Sequence, residues 1–183
     1  MRTLILLFLL TMGSYDVYAS DVTVYTLSET SRYVLVVPHF QRIFIQLRSW
    51  EDDTLLDEVV LGSKYMQATH EDRDVILDTQ KELVVKRRYG GTGFTETILE
   101  ILAFIDDRIV NIGSFIIDHG SIGPGNGGSI KIEGRIRFTA INKLEYEFQK
   151  EIEENGKRSV ISEREKYIFD TKLKKFVKKT PDH

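Results

Sequence analysis

The most informative absence in this sequence is that of cysteine, of which its 183 residues contain none. Without cysteine no disulfide can form, so the stability of the fold must come from its core. A thiol nucleophile and a thiolate metal site are excluded for the same reason. The cysteine that a bacterial lipoprotein carries at its cleavage point is also missing, so we expect no membrane anchor of that kind.

The N-terminal apolar run is too short to cross a bilayer. It extends from Leu4 to Leu10, whereas a transmembrane helix needs roughly twenty apolar residues. Arg2 precedes the run, and Val17-Tyr18-Ala19 follows it with small residues at the two positions that signal peptidase reads. This pattern predicts a signal peptide over residues 1–19, a mature chain that begins at Ser20, and a periplasmic or secreted bacterial protein.

Neither sign of charge is in large excess, since 25 Lys and Arg stand against 28 Asp and Glu. A nucleic-acid-binding surface needs a clustered basic excess to displace counterions, so we expect no nucleic-acid partner. A hydrophobic content of 42% with 29% charged residues is typical of a folded globular protein. The length predicts one domain over residues 20–183.

Apolar and polar residues alternate with a period of two over much of the chain, most clearly in its C-terminal half. Apolar residues from Ile130 to Phe138 and from Leu144 to Phe148 alternate with polar ones, which predicts two strands. A three-residue loop, Ala140-Ile141-Asn142, with Asn142 in the left-handed region would join them. The resulting register pairs Phe138 with Leu144, Ile136 with Tyr146, Gly134 with Phe148, Arg137 with Glu145, Arg135 with Glu147 and Lys131 with Glu151.

Asn155-Gly156 is the strongest local turn signal, because a two-residue type I′ turn needs positive φ at both positions. Such a turn pairs Glu154 with Lys157, Glu153 with Arg158, Glu147 with Arg164 and Glu145 with Lys166. The same register leaves Glu163 and Glu165 on the face of Tyr146 and Phe148. That placement requires either that this end of the face is open to solvent or that a bulge resets the strand.

Further strands are predicted along the rest of the chain. Pro38 marks an edge or a bend, and Thr54–Leu61 is either a short helix closed by Gly62 or half a hairpin, of which we favour the strand. The other strands are Asp21–Leu27, Tyr33–Val37, Phe40–Leu47, Leu83–Tyr89, Thr95–Ile105 and Arg108–Ile117, with a final hairpin of Tyr167–Phe169 and Leu173–Val177. The predicted fold is all-β, a single domain of about ten mainly antiparallel strands in a meander, sandwich or strongly curved sheet.

An acidic segment precedes the strand at Leu83, and it is a weak candidate for a metal site. Asp74, Asp78 and Glu82 at steps of four resemble the calcium loop of integrin-type (FG-GAP) repeats over about a dozen residues. The family has an oxygen ligand where this chain has Ile76 and a glycine where it has Thr79. The resemblance therefore implies a β-hairpin or blade-like unit, and we favour a solvated acidic turn over a metal site.

Two glycine-rich stretches and one histidine are the candidate binding loops. Gly90-Gly91-Thr92-Gly93 and Gly120–Gly128 lack the Lys-Ser/Thr of a phosphate-binding P-loop, so turns between strands are the favoured interpretation. The histidines, namely His39, His70, His119 and His183, have no paired spacing that indicates zinc. The residues chosen as binding candidates are Gly90, Gly91, Gly93, His119 and Asn126.

The sequence predicts an exported protein that binds another protein or a small molecule without catalysis and without a cofactor. Two other functions stay open. One is a periplasmic inhibitor or immunity-type protein that blocks an enzyme with an exposed acidic loop. The other is a carboxylate-dependent hydrolase, which would need a pocket where carboxylates or His119 converge. No Gly-x-Ser-x-Gly elbow for serine catalysis is present.

Overall fold

The computed structural model describes residues 23–27, 32–39, 42–62, 67–76, 80–122 and 128–180. Within these ranges the chain forms two sheets, and no helix there could cross a membrane. The smaller sheet contains β1 (Thr23–Thr26), β2 (Arg32–His39), β3 (Arg42–Ser49) and β4 (Leu55–Gly62). The larger sheet contains β5 (Gln67–Arg73), β6 (Glu82–Gly91), β7 (Phe94–Ile105), β8 (Arg108–Ile122), β9 (Ser129–Ala140), β10 (Lys143–Glu154), β11 (Lys157–Asp170) and β12 (Lys175–Lys178).

Both sheets are antiparallel meanders, because within each sheet every described strand pairs with its neighbours in sequence, while the consecutive strands β4 and β5 belong to different sheets. The predicted all-β class is confirmed, with twelve strands in the described ranges in place of about ten, and the ambiguous segment after Thr54 is strand β4. The unpredicted strand is β5, whose sequence is polar apart from Ala68 and so shows no apolar alternation. It lies at the edge of the larger sheet, beside β6 only.

Pro38 lies within β2, opposite Ile43 of β3. On the other side of β2, strand β1 pairs only with Tyr33–Val36. Among the described strands, β2 therefore has a single neighbour at Pro38. A position paired on one side only tolerates a residue without an N–H.

The two sheets share an apolar core to which both contribute. From the smaller sheet its buried members are Val34, Val36, Ile43, Ile45, Leu47 and Leu61, joined by Leu27, which directly follows β1. From the larger sheet they are Leu83, Val85, Leu102, Phe104 and Ile109. Val84, between Leu83 and Val85, belongs to a second cluster, as the alternation of side chains along a strand requires. Strand β6 thus has apolar side chains on both faces.

The second core cluster shows that the larger sheet curves back on itself. Its buried members come from β6, β7, β8, β10, β12 and the segment after β5: Val75, Ile76, Val84, Ile101, Ala103, Ile112, Phe115, Leu144, Tyr146 and Phe176. Strands β8 and β9 pair only through Asp118–Ile122 and Ser129–Glu133. The ring of Phe115 on β8 lies 5.5 Å from that of Tyr146 and 5.2 Å from that of Tyr167, centroid to centroid.

The predicted register of the β9–β10 hairpin is confirmed. All the pairs from Phe138 with Leu144 to Lys131 with Glu151 are present, and Asn142 has a φ of 64°. The loop differs, because Ala140 pairs with Lys143 and leaves a two-residue turn with a register shift beside it. Tertiary contacts hold this turn: the Asn142 N–H donates to the Val75 carbonyl at 2.9 Å, and the Asn142 carbonyl accepts from the Phe169 N–H at 2.9 Å.

The faces of this hairpin are divided as its alternation predicts. Leu144 and Tyr146 are buried, whereas Ile136 and Phe138 are half-buried. On the opposite face the arginines, Arg135 and Arg137, are exposed, while Glu145 and Glu147 are half-buried between them and the basic residues of β11.

The predicted Asn155-Gly156 turn is confirmed, with φ values of 52° and 73° and unbroken pairing from Glu154 with Lys157 onward. Glu163 and Glu165 stand opposite Phe148 and Tyr146 with no bulge, so the second alternative is excluded; the first holds for Glu163 only, since the Glu165 side chain is 14% exposed. Glu163 is exposed. The Glu165 carboxylate accepts hydrogen bonds from the Tyr167 hydroxyl at 2.6 Å and from Lys178 Nζ at 2.6 Å. These bonds offset the free-energy cost of placing a carboxylate on an otherwise apolar face.

A histidine contact joins the two sheets. The Tyr25 hydroxyl of β1 lies 2.6 Å from His70 Nδ1 of β5, and burial lowers the pKa of His70 below its ordinary 6.5. In the folded state the imidazole therefore stays neutral to a lower pH than in the unfolded chain.

We expect the free energy of unfolding to fall as the pH is lowered from 6.5 through the depressed pKa of His70, because only the unfolded chain binds the proton there. In His70→Gln this part of the pH dependence should disappear. Urea denaturation at pH 7.5 and pH 5 measures it. His119→Gln, which leaves the Tyr25 contact intact, is the control, and identical pH profiles for wild type and His70→Gln would contradict the assignment.

Candidate functional site

The first glycine-rich stretch forms the turn between β6 and β7, and the second begins beside it. β6 ends at Gly91 and β7 begins at Phe94, with Gly93 at a φ of 86° that favours glycine. The Ile122 N–H at the end of β8 donates to the Gly93 carbonyl at 2.8 Å. Gly90, Gly91 and Gly93 therefore lie at one end of the sheet with the last residues of β8.

His119 belongs to the same end of the sheet through a cross-strand row of polar side chains. Tyr89 of β6 pairs with Glu96 of β7, and Glu96 pairs with His119 of β8, so the three side chains lie on one face. The Tyr89 hydroxyl donates to Glu96 Oε1, and His119 Nδ1 lies 3.1 Å from Glu96 Oε2. Glu96 thus uses one carboxylate oxygen for each neighbour.

A second polar cluster lies next to this row. Arg87 Nη2 donates to Glu100 Oε1 at 3.1 Å, while its Nε forms an ion pair with Glu100 Oε2 at 2.7 Å. Asn111 Nδ2 donates to the same Oε1 at 3.1 Å. The guanidinium carbon of Arg87 is 5.9 Å from the centroid of the Tyr89 ring, within the range of a cation–π contact. Together the two clusters form a connected polar layer across β6, β7 and β8.

Burial and the Glu96 carboxylate together raise the pKa of Tyr89 to about 12, burial being the larger cause. At neutral pH the phenol is therefore protonated and acts as a hydrogen-bond donor. Glu96 and Glu100, whose side chains are only 16% and 8% exposed, are both held by neighbouring side chains. The arrangement positions these groups rigidly and leaves neither carboxylate as an isolated base.

An open depression of about 560 Å³ lies beside the polar row. Its lining residues are Arg88, Tyr89, Gly90, Gly91, Thr92, Phe94 and Thr95. The Phe94 ring is 40% exposed and stands edge-on to the Tyr89 ring, with 6.3 Å between centroids. A Cβ at Gly91 would lie 3.1 Å from a ring carbon of Phe94, so the ring would have to shift by a few tenths of an ångström to accept a larger residue there. The lining thus combines two aromatic residues, two threonines and the exposed residue Arg88.

The acidic segment lies at the opposite end of β6 from the glycine turn, about 30 Å away along the strand. Glu82 is 1% exposed, and its Oε2 accepts from the Val75 N–H at 2.6 Å and the Ile76 N–H at 3.1 Å. Asp74 is exposed, Ile76 belongs to the core, and Asp78 and Thr79 lie outside the described residues. Glu82 thus anchors the chain after β5.

The described residues contain no group of three or more acidic, histidine or cysteine side chains arranged to hold a metal ion. His70 contacts Tyr25, and His119 contacts Glu96. His39 lies in β2, while His183 and Asn126 are outside the described residues. Of the predicted site residues, the structure brings together Gly90, Gly91, Gly93 and His119.

Sequence reasoning missed Tyr89, Glu96, Arg87 and Glu100 as members of this site. A signal for the first two was present. A two-residue turn at Thr92-Gly93 pairs Gly91 with Phe94 and Tyr89 with Glu96, and a tyrosine opposite a glutamate places a hydroxyl donor beside a carboxylate. The third member, His119, could not be added from sequence, because the β7–β8 pairing contains two register shifts.

Comparison with known proteins finds no match for this chain among protein-family models, curated sequences or solved structures.

Proposed function

We propose that this protein is an exported, non-catalytic binding protein whose ligand occupies the depression at the glycine turn. The observation that carries the proposal is the exposed Phe94 ring, which stands against Tyr89 in a concave site beside Arg88. Binding sites combine apolar surface with a few convergent polar groups in this way. Binding is supported over hydrolysis because Glu96 and Glu100 are both engaged by neighbouring side chains.

The chemistry of the lining predicts the kind of ligand. A flat apolar ring fits against Phe94, and a carboxylate fits the exposed Arg88 guanidinium through charge-assisted hydrogen bonds. Thr92 and Thr95 add hydroxyl groups that pair with polar substituents. A small aromatic acid satisfies all three requirements.

A titration with 4-hydroxybenzoate, followed by NMR of labelled protein, tests the site. We expect saturable shifts of the Gly90, Gly91 and Gly93 amides, weakened by Phe94→Ala and by Arg88→Gln. The neutral analogue 4-hydroxybenzyl alcohol should bind less well. Ile141→Ala removes a similarly exposed apolar side chain, 50% exposed, at another turn and should change nothing. Shifts confined to other residues, or equal binding by Phe94→Ala, would reject the site.

Export is proposed from the N-terminal sequence alone. Mass spectrometry of the protein recovered from the periplasm or medium should show a chain that starts at Ser20 or Asp21. A charged residue in the apolar run, as in Leu7→Arg, should retain the precursor in the cell, because a signal peptide needs an unbroken apolar core. An exported protein that still carries Met1 would contradict the proposal.

A further inference from the structure

Strand β11 has an edge that no described strand covers. It pairs with β10 from Lys157 to Ile168. On its other side β12 reaches only Tyr167–Asp170, with one more bond from the Lys179 N–H to the Lys166 carbonyl. Within the described chain, the edge from Lys157 to Glu165 therefore has no second neighbour. We call the segment from Lys157 to Glu165 the β11 edge.

The β11 edge carries charge but none of the other features that prevent strand pairing. Natural edge strands are protected by short length, charged side chains, proline or bulges, and five of these nine residues are charged, namely Lys157, Arg158, Glu163, Arg164 and Glu165. Here the nine residues contain no proline, and the pairing with β10 has no register shift. Val160 and Ile161 at its centre are 48% and 43% exposed and point to opposite faces. The edge is thus long, regular and apolar in the middle.

Charge on one face of the sheet alternates by strand. Lys131, Arg135 and Arg137 of β9 stand opposite Glu151, Glu147 and Glu145 of β10. The β10 glutamates in turn form ion pairs with β11, from Glu151 to Arg158 at 2.6 Å and from Glu147 to Arg164 at 2.5 Å. On this face β9 is net basic although it also carries Glu133, paired with Lys131; β11 is basic and β10 is net acidic. The next strand in this order would be acidic.

We propose that the β11 edge binds an extended segment of a partner protein by strand addition. The segment carries acidic residues at alternate positions, beside Arg158 and Arg164. It carries an apolar residue beside Ile161 on the other face, which also holds Glu163 and Glu165. Main-chain hydrogen bonds supply affinity in this mode of recognition, and alternate side chains supply specificity. A second copy of this chain fits less well, because symmetric pairing centred on Ile161 places Arg158 opposite Arg164 of the other copy. This proposal does not depend on the ligand site at the glycine turn.

The position of the free N–H groups follows from the turn. In a two-residue hairpin the closing pair, here Glu154 with Lys157, exchanges both hydrogen bonds, and the pattern alternates from there. The N–H groups of Arg158, Val160, Ser162 and Arg164 therefore point away from β10. Proline at Ser162 removes one outward donor without breaking the internal ladder.

The test uses a labelled peptide of alternating glutamate and valine residues, with the matching lysine–valine peptide as control. We expect fluorescence anisotropy to show saturable binding of the acidic peptide, with Kd raised about tenfold by Ser162→Pro and also raised by Arg158→Glu. Lys172→Glu, the same reversal of charge in the turn before β12, should have no effect. Circular dichroism melting confirms that each variant is folded.

A second measurement locates the bound peptide. On binding, the outward amides of Val160 and Ser162 should become protected from hydrogen exchange. The proposal is overturned if neither peptide binds, if both bind equally, or if protection appears only near Gly90–Gly93. It is also overturned if sedimentation shows a dimer that Ser162→Pro dissociates, since the occupant would then be a second copy.

Discussion

Replacing Leu144 by alanine should lower the free energy of unfolding by roughly 2 to 5 kcal/mol, the range for deleting a fully buried leucine side chain. Leu144 is 1% exposed and lies in the second core cluster, where the two halves of the curved sheet meet. The surrounding rings cannot collapse fully into the space, so a cavity adds to the lost transfer free energy. Urea denaturation of wild type and variant measures the difference.

The control makes the same chemical change outside the core. Leu173, in the turn before β12, is 58% exposed, and Leu173→Ala should cost less than about 0.5 kcal/mol. Phe138→Ala should fall between the two, because Phe138 is only half-buried with the Arg73 guanidinium 4.4 Å from its ring centroid. Equal losses for Leu144→Ala and Leu173→Ala would show that the face assignment of the β9–β10 hairpin is wrong.

Glu82→Ala should destabilise the protein by roughly 2 to 4 kcal/mol, because it removes a charged acceptor and leaves two buried donors without it. Those donors are the N–H groups of Val75 and Ile76, both held by Glu82 Oε2. Removing the carboxylate also relieves the cost of burying a charge. The loss of two charge-assisted bonds is the larger effect, so the net change is destabilising.

Glu82→Gln separates these contributions, since it retains one acceptor oxygen without the charge and should cost less than Glu82→Ala. Glu154→Ala, at an exposed position in the β10–β11 hairpin, should cost less than about 0.5 kcal/mol.

Calcium at millimolar concentration should not raise the melting temperature of the wild type, because the Glu82 carboxylate is already bound by backbone N–H groups. A calcium-dependent rise that a chelator reverses would contradict this assignment.

The local pairing in the C-terminal hairpins could be predicted because two independent signals agree there. Alternation puts Phe138 and Leu144 on one face, and opposite charges set Arg137 against Glu145 on the other. A slip by one residue would bury charge and expose apolar surface, so one register is far more stable than its neighbours. The turn at Asn155-Gly156 adds a third signal, because few other residue pairs adopt positive φ so readily.

The role of Glu82 could not be predicted in the same way. In sequence it is one of several acidic residues before an apolar strand, and in the structure it is buried against the Val75 and Ile76 amides. That burial depends on the chain after β5 packing into the second core cluster. No local pattern carries that information, since a carboxylate beside a strand is equally compatible with solvent, a metal ion or backbone donors.

The sequence by itself determined the all-β class, the meander order and the registers of the β9–β10 and β10–β11 hairpins, because these depend on neighbours a few residues away. Tertiary structure alone decided the rest. It placed β5 at the sheet edge, folded the larger sheet so that Phe115 meets Tyr146, and brought His119 to Glu96 across a pairing with two register shifts. Each of these depends on how distant strands share buried surface, and that surface exists only once the whole chain has packed.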